Sequence, residues 1–335
     1  MITDRYYYHR LSAEEKDIYV ALYKGIINLD KEIHLNKIYP LEKIKKAFYA
    51  MSNDNPHLYY FNQTHMDIPV TPFGSVLLPQ YFCTREQIDT YNKRIETCIS
   101  DIILNLDLMN CSEFEKVKRL HDYFCKSIIY DHEALETSKV NRLVAAHSVI
   151  GVFAKKRAVC EGIAKAFKML LNAVDIAAIV VDGRASLYKD VGHSWNIVKI
   201  DGEPYHIDVT WDIANTKYGH INYDYFNVSE IDISKDHFNY EGTPKCMTDN
   251  KSYFRINDVY FNSVVDIEKY LLEGVTKGKM DFYFKISDEG HKIEEIANYA
   301  RQFVISEAGE KGILAKVNAY YNKDQRIVRV VLQRM

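Results

Sequence analysis

The stretch "GHSWNIVKIDGEPYHIDVTWD", residues 192–212, places Asp201-Gly202 between two apolar-rich runs. Asp-Gly in that setting signals a two-residue hairpin turn, because both turn positions need positive φ. Such a turn pairs Ile200 with Glu203. Counting back along both strands, Trp195 faces Asp208 and His193 faces Thr210. Directly paired side chains share a face of the sheet. His193, Trp195 and Asp208 are therefore expected on one face, with Asp208 one diagonal step from His193. A four-residue loop keeps this parity. A three-residue loop reverses it, because successive side chains alternate.

An imidazole beside a carboxylate suggests a base and its orienter, which is what a thiol nucleophile requires. "RAVCEGIAKAF", residues 157–167, supplies the thiol. Ile163, Phe167, Leu170 and Leu171 recur at helical spacing, so Cys160 stands where the chain enters a helix. Free N–H groups and the helix dipole favour an anion there, and hence a thiolate. Gly162 reads as leaving the sulfur open to approach.

Plainer readings compete with this one. A lone cysteine on a helix is usually a small core residue, and Cys98, Cys111 and Cys125 are read that way. His121 and Cys125 share a helix face, but no further ligand spacing joins them, so no metal site is expected. "GHSWN" ends in Asn and lies on a strand rather than at a strand–helix elbow, which argues against a serine hydrolase. No glycine-rich phosphate loop occurs, so no nucleotide or other cofactor is expected. The six cysteines show no CxxC spacing and suggest no disulfide framework.

A formal charge of −3 and no basic stripe give no case for a nucleic-acid partner. No apolar run approaches the roughly 18 residues of a membrane span. "MITDRYYYHRLSAEEKD" at the start has no apolar segment of signal-peptide type, so a cytoplasmic location is expected.

Periodicity divides the 335 residues into three blocks. Residues 1–110 read as mainly helical, with Ser12 and Glu15 as a capping box before "KDIYVALYKGI". Residues 111–245 hold a helix with Phe114, Val117, Leu120, Phe124 and Ile128 facing inward, then the Cys160 helix. Three strands follow: "AAIVVDGRA", "HSWNIVKI" and "PYHIDVTW". Residues 246–335 read as a small α/β domain, with helices in "VVDIEKYLLEGV" and "HKIEEIANYARQFV" and strands in "MDFYFKIS", "ILAKVNAYY" and "RIVRVVLQ".

"AVCEGIAKAF", "GHSWNIVKIDGEPYHIDVTWD" and "YFNVSE", in that order, resemble the bacterial transglutaminase-like cysteine enzyme superfamily. That family shows G-V-C-x-G-Y-A, then G-H-A-W-N, then D-x-T-W-D. The resemblance covers about 120 residues when "HDYFCKSIIYD" is included. It implies an α+β fold with a papain-like transglutaminase core: a nucleophile helix packed on an antiparallel sheet. It also implies Cys160 as nucleophile, His193 as base and Asp208 as orienting carboxylate. Ala158, Ile163 and Ser194 stand where the family usually has Gly, Tyr and Ala. Ile163 thereby lacks a hydroxyl near the nucleophile, which leaves substrate contacts there open.

The expected chemistry is acyl transfer or hydrolysis at an amide of a protein or peptide substrate, through a thioester. Hydrolysis is the favoured outcome. A protein-glutamine transglutaminase using an amine acceptor and a non-catalytic binding scaffold are the alternatives. The backbone N–H of Cys160 would donate to the oxyanion, with Tyr130 or Trp195 as the second donor or as a cleft residue. Asp212 and Trp211 read as structural.

Overall fold

A computed structural model describes residues 5–63, 66–136, 140–185, 192–216, 220–287 and 289–334. The chain forms two compact units: residues 1–225 with 237–247, and residues 226–236 with 248–335. Helix and sheet are both present, and the main sheet of the first unit is wholly antiparallel, an α+β arrangement.

The first unit is built around the helix Cys160–Ala173. The sequence gives this helix one apolar stripe, yet it is buried nearly all round. Ile163, Phe167, Leu170 and Leu171 are fully buried, and so are Lys165 and Lys168. Each of the large apolar side chains contributes about 1.5–3 kcal/mol by leaving water. Against this helix packs Glu113–Ser127, whose Phe124 meets Phe167 edge-on at 5.2 Å. The Ser112–Glu115 capping box starts that partner helix.

The sheet beside them has strands in the order Glu203–Ile207, Gly192–Ile200, Ala178–Ala185, His237–Phe238, each antiparallel to its neighbour. Asn196 fastens the sheet to the helix. Its Nδ2 donates to Ala164 O at 3.0 Å and to Ile179 O at 3.1 Å.

The helices of the first hundred residues belong to the same unit. Ala13–Asn28 begins at the Ser12–Glu15 capping box and packs on Leu41–Asp54. The two buried lysines of the Cys160 helix explain how this layer is held. Lys168 Nζ donates to the carbonyls of Asn53 (2.8 Å) and Asp54 (3.2 Å), at the end of Leu41–Asp54. Those carbonyls lack helical partners, so a cation satisfies both need and dipole. Lys165 Nζ donates to Ser52 Oγ at 3.0 Å and to Glu161 Oε1 at 2.5 Å. Asn53 Nδ2 donates to Asp182 on the sheet at 2.5 Å.

In the second unit, strands lie in the order Tyr260–Phe261, Asp281–Ile286, Ile327–Arg334, Ala315–Asn322. The helices Val264–Thr276 and Ile293–Glu310 pack together, and the latter covers the sheet. Gly274 is a close approach: a Cβ there would lie 2.3 Å from the Phe282 ring. A buried Lys285–Asp232 pair at 2.8 Å ties the early segment of this unit to its sheet. Among the described residues of the chain, no helix is long and apolar enough to cross a membrane.

Candidate active site

The Asp201-Gly202 turn has φ of 51° and 94°, and it pairs Ile200 with Glu203. The ladder then runs back to Asn196 opposite Ile207 and stops. The sequence reading carries the strand on through Trp211 and sets Thr210 opposite His193. The chain instead turns into the helix Val209–Asn215 at Asp208. The reason is local: Asp is a favoured helix-capping residue, and Asp208 Oδ1 accepts the Trp211 N–H at 3.2 Å. Thr210 leaves the ladder. The other carboxylate oxygen, Oδ2, lies 2.7 Å from His193 Nε2.

Cys160 enters from the other direction. Arg157–Ala158 runs parallel to Ile129–Tyr130, with Tyr130 paired to Ala158. Val159 is extended and caps the Cys160 helix with no side-chain hydrogen bond. The first helical N–H groups are thus not consumed by a cap. Cys160 is half-buried.

Gly162 does not serve to expose the sulfur. A Cβ on it would stand 2.4 Å from Ala146 O and 2.9 Å from Ser148 O, so its small size allows close backbone packing. Ile163 is wholly buried, which places it in the core rather than at a substrate. Glu161, beside the nucleophile, is tied to Lys165 and to His147 Nδ1 at 2.9 Å. Burial opposes its charge, yet Lys165 first and then the His147 hydrogen bond hold its carboxyl at about 2.

Burial alone would lower the basicity of His193. The Asp208 charge and hydrogen bond, and the hydrogen bond and charge of the Cys160 thiol, overcome it and raise the imidazole to about 10. Asp208 is fully buried, which opposes its ionisation. His193 and His237 outweigh that and hold it well below the usual carboxylate range.

The second imidazole was not foreseen. His237 Nε2 lies 3.1 Å from Asp208 Oδ2, the same oxygen that His193 uses. Its surroundings in sequence, "SKDHFNY", carry neither periodicity nor motif spacing that singles it out. His193, Asp208 and His237 bring possible metal-ligating atoms within 4.8 Å of one another. The 2.7 Å contact is shorter than the roughly 3.3 Å between two ligands of a tetrahedral zinc, from bond lengths near 2.0–2.1 Å. The convergence is that of a hydrogen-bonded hub.

Trp195 stacks on His193 with ring centroids 5.9 Å apart. It is 1% exposed, and its Nε1 donates to His206 Nδ1 at 3.1 Å. That N–H is spent, so the indole is a plate behind the imidazole rather than an oxyanion donor or a cleft residue. Tyr130 feels the charges of the reacting groups. Burial first, and then the Cys160 and Asp208 charges, keep its phenol protonated far above neutral pH.

His121 and Cys125 also find their partner. His121 Nε2 lies 2.9 Å from Asp212 Oδ2 and 3.7 Å from Cys125 Sγ, and its ring stacks on Tyr223. Asp212 Oδ1 accepts Asn222 Nδ2 and the Tyr225 N–H, both at 3.2 Å. Burial pushes the Asp212 carboxyl up to about 7 even against His121. This buried cluster clamps the helix that Asp208 begins onto Glu113–Ser127.

Residues 107–224 match the family model of the transglutaminase-like superfamily. That stretch is similar to the transglutaminase-like superfamily. The matched span contains Cys160, His193 and Asp208 but ends before His237. A search of curated proteins found no match. A solved structure described as "Crystal structure of a TGase" is similar at 17% identity, with a TM-score of 0.33. The similarity covers 56% of this chain and 52% of that one, so the chain spans about half the length of that structure. The likeness to that superfamily thus rests on the family match over residues 107–224.

Proposed function

We propose that the chain is a cysteine-dependent acyl-transfer enzyme acting on an amide of a protein or peptide, with Cys160 as nucleophile, His193 as its proton partner and Asp208 as the orienting carboxylate. The observation that carries this reading is the array itself. A thiol at an uncapped helix start interacts with an imidazole that is fixed by a buried, ionised carboxylate.

Each step follows from that array. His193 stays protonated through the neutral range, which gives the thiol a cationic partner and favours a thiolate–imidazolium pair. The thiolate adds to the amide carbonyl, and the carbonyl electrons move onto oxygen. The Cys160 N–H donates to that oxyanion, and the protonated Tyr130 phenol is the second donor in this reading. The C–N bond then breaks as His193 passes its proton to the leaving amine, leaving a thioester and a neutral imidazole. A water gives a proton to His193 and its hydroxide to the thioester carbonyl, which releases the acid and restores the pair.

The test is alkylation by iodoacetamide at neutral pH, read site by site by peptide mass. Cys160 is expected to react well ahead of the other five cysteines, and His193→Ala is expected to remove that lead. Equal rates at all six sites in the wild type would overturn the reading. A glutaminyl peptide offered with a primary amine then separates the outcomes: release of ammonia or a cleaved peptide marks water as acceptor, and an amine adduct marks transfer.

A further inference from the structure

Resting on that reading, we infer that His237 is a positioning residue of the reaction, its Nε2–H holding the Asp208 carboxylate in place against His193. The matched family span does not reach this residue, and no motif in the sequence marks it.

The geometry separates His237 from an ordinary buried histidine. Asp208 accepts the Trp211 N–H on Oδ1 and both imidazoles on Oδ2. Without His237, the carboxylate plane would be restrained by one backbone N–H on one side and by His193 on the other. His193 would then orient the group that is meant to orient it. With His237 present, Oδ2 is fixed from a second direction, on a different strand. His237 sits on His237–Phe238, the sheet edge opposite to Glu203–Ile207, and Ala185 is its cross-strand partner. Register puts it on the same face as His193, since His193 pairs with Gly183 two residues before Ala185.

The sheet is shaped to admit it. Gly183 lies between the two imidazole strands, and a Cβ there would come 2.7 Å from the Trp195 ring and 2.6 Å from Phe238 O. Trp195, Trp211 and Tyr225 pack around His237 at centroid distances of 4.8, 4.6 and 5.6 Å. The His237 side chain is fully buried. A buried imidazole enclosed by rings keeps one rotamer, which suits a part that fixes another group. The titratable groups facing this hub are Cys160 and Tyr130 from the nucleophile side, His206 behind Trp195, and Tyr225.

The experiment measures Cys160 alkylation by iodoacetamide against pH in the full chain, comparing wild type with His237→Phe and His237→Gln. Phe fills the space without a donor, and Gln restores an N–H near the Nε2 position. His237→Phe is expected to slow alkylation by about 10–100-fold, the usual cost of losing such a supporting hydrogen bond, and to move the acid limb of the profile to higher pH. His237→Gln is expected to recover most of both. If wild-type Cys160 reacts no faster than the other cysteines, the catalytic reading fails and takes this inference with it. If wild-type Cys160 is fast and His237→Phe matches it, or its acid limb does not move, the role of His237 alone is overturned. The same holds if His237→Gln, folded by circular dichroism, is as slow as His237→Phe. Nitrogen NMR of wild-type imidazoles gives an answer that needs no variant to fold: His237 Nε2 must carry a proton at neutral pH, and a bare Nε2 there overturns the proposal.

Discussion

Asp208 Oδ2 and His193 Nε2 are 2.7 Å apart, though the residues are separated by 15 positions and by a tight turn. The carboxylate is also the cap of the helix that follows it. One side chain thus ends a strand, starts a helix and orients an imidazole. Its replacement by an amide tests the third duty most sharply. Asp208→Asn is expected to keep the cap, since Asn also caps well. It is expected to lower turnover by about 10⁴-fold, as when a triad carboxylate becomes an amide and the imidazole takes the wrong tautomer. Site-resolved alkylation of Cys160 alongside a melting curve checks this. A large loss of reactivity with little loss of melting temperature is the expected pattern.

The His193 imidazole links stability to pH. Its value is raised from 6.5 unfolded to about 10 folded. A raised cation contributes stability fully below the unfolded value, and that contribution is lost as pH rises from 6.5 through about 10. The wild-type melting temperature is therefore expected to fall across this window, and less so in His193→Gln. Parallel curves for the two proteins would contradict the assignment.

Lys168 offers a test of how the N-terminal layer is held. Lys168→Met keeps the length and apolar stem but removes the donor to Asn53 O and Asp54 O. Leaving a buried carbonyl unpartnered costs about 1–3 kcal/mol. Urea unfolding is expected to show a lower midpoint by a corresponding amount, with an unchanged slope.

Gly162→Ala introduces a Cβ 2.4 Å from Ala146 O, a backbone atom that cannot swing aside. The start of the Cys160 helix must shift. The expected loss is about 1–3 kcal/mol of stability, as for other overpacked sites. Slower Cys160 alkylation should accompany it, because the helix start carries the thiol. Unimpaired alkylation would show that the nucleophile tolerates the shift.

Ile163→Tyr restores the residue usual in the resembled family. Ile163 is fully buried here, so a larger ring with a hydroxyl has no room and no evident partner. A cost of about 1–3 kcal/mol is expected by thermal unfolding. A stabilised variant would mean that the local packing has space for the family residue.

Much of this site was legible in the sequence because its signals are local. Asp-Gly needs positive φ at two positions, which fixed the turn and the hairpin register back to Asn196 and Ile207. The helical spacing of Ile163, Phe167 and Leu170 fixed where the Cys160 helix begins. Capping pairs such as Ser12–Glu15 and Ser112–Glu115 are local in the same way, and both boxes are formed.

Other features depend on contacts between distant segments. The extended run "PYHIDVTW" has strand-like composition, but the capping bond from Asp208 ends the strand after Ile207. Gly162 looks like an opening beside a sulfur until Ala146 O is placed against it. Lys165 and Lys168 look like solvent-facing charges on an amphipathic helix until a second helix end covers them. His237 carries no pattern of its own, and its meaning lies in a strand pairing made 44 residues after His193. The sequence by itself determined the hairpin turn, its register and the start of the Cys160 helix, because period, turn and cap act within a few residues. Only the tertiary structure decided which buried polar groups meet, because burial leaves each donor and acceptor to find a partner wherever in the chain one has been brought near.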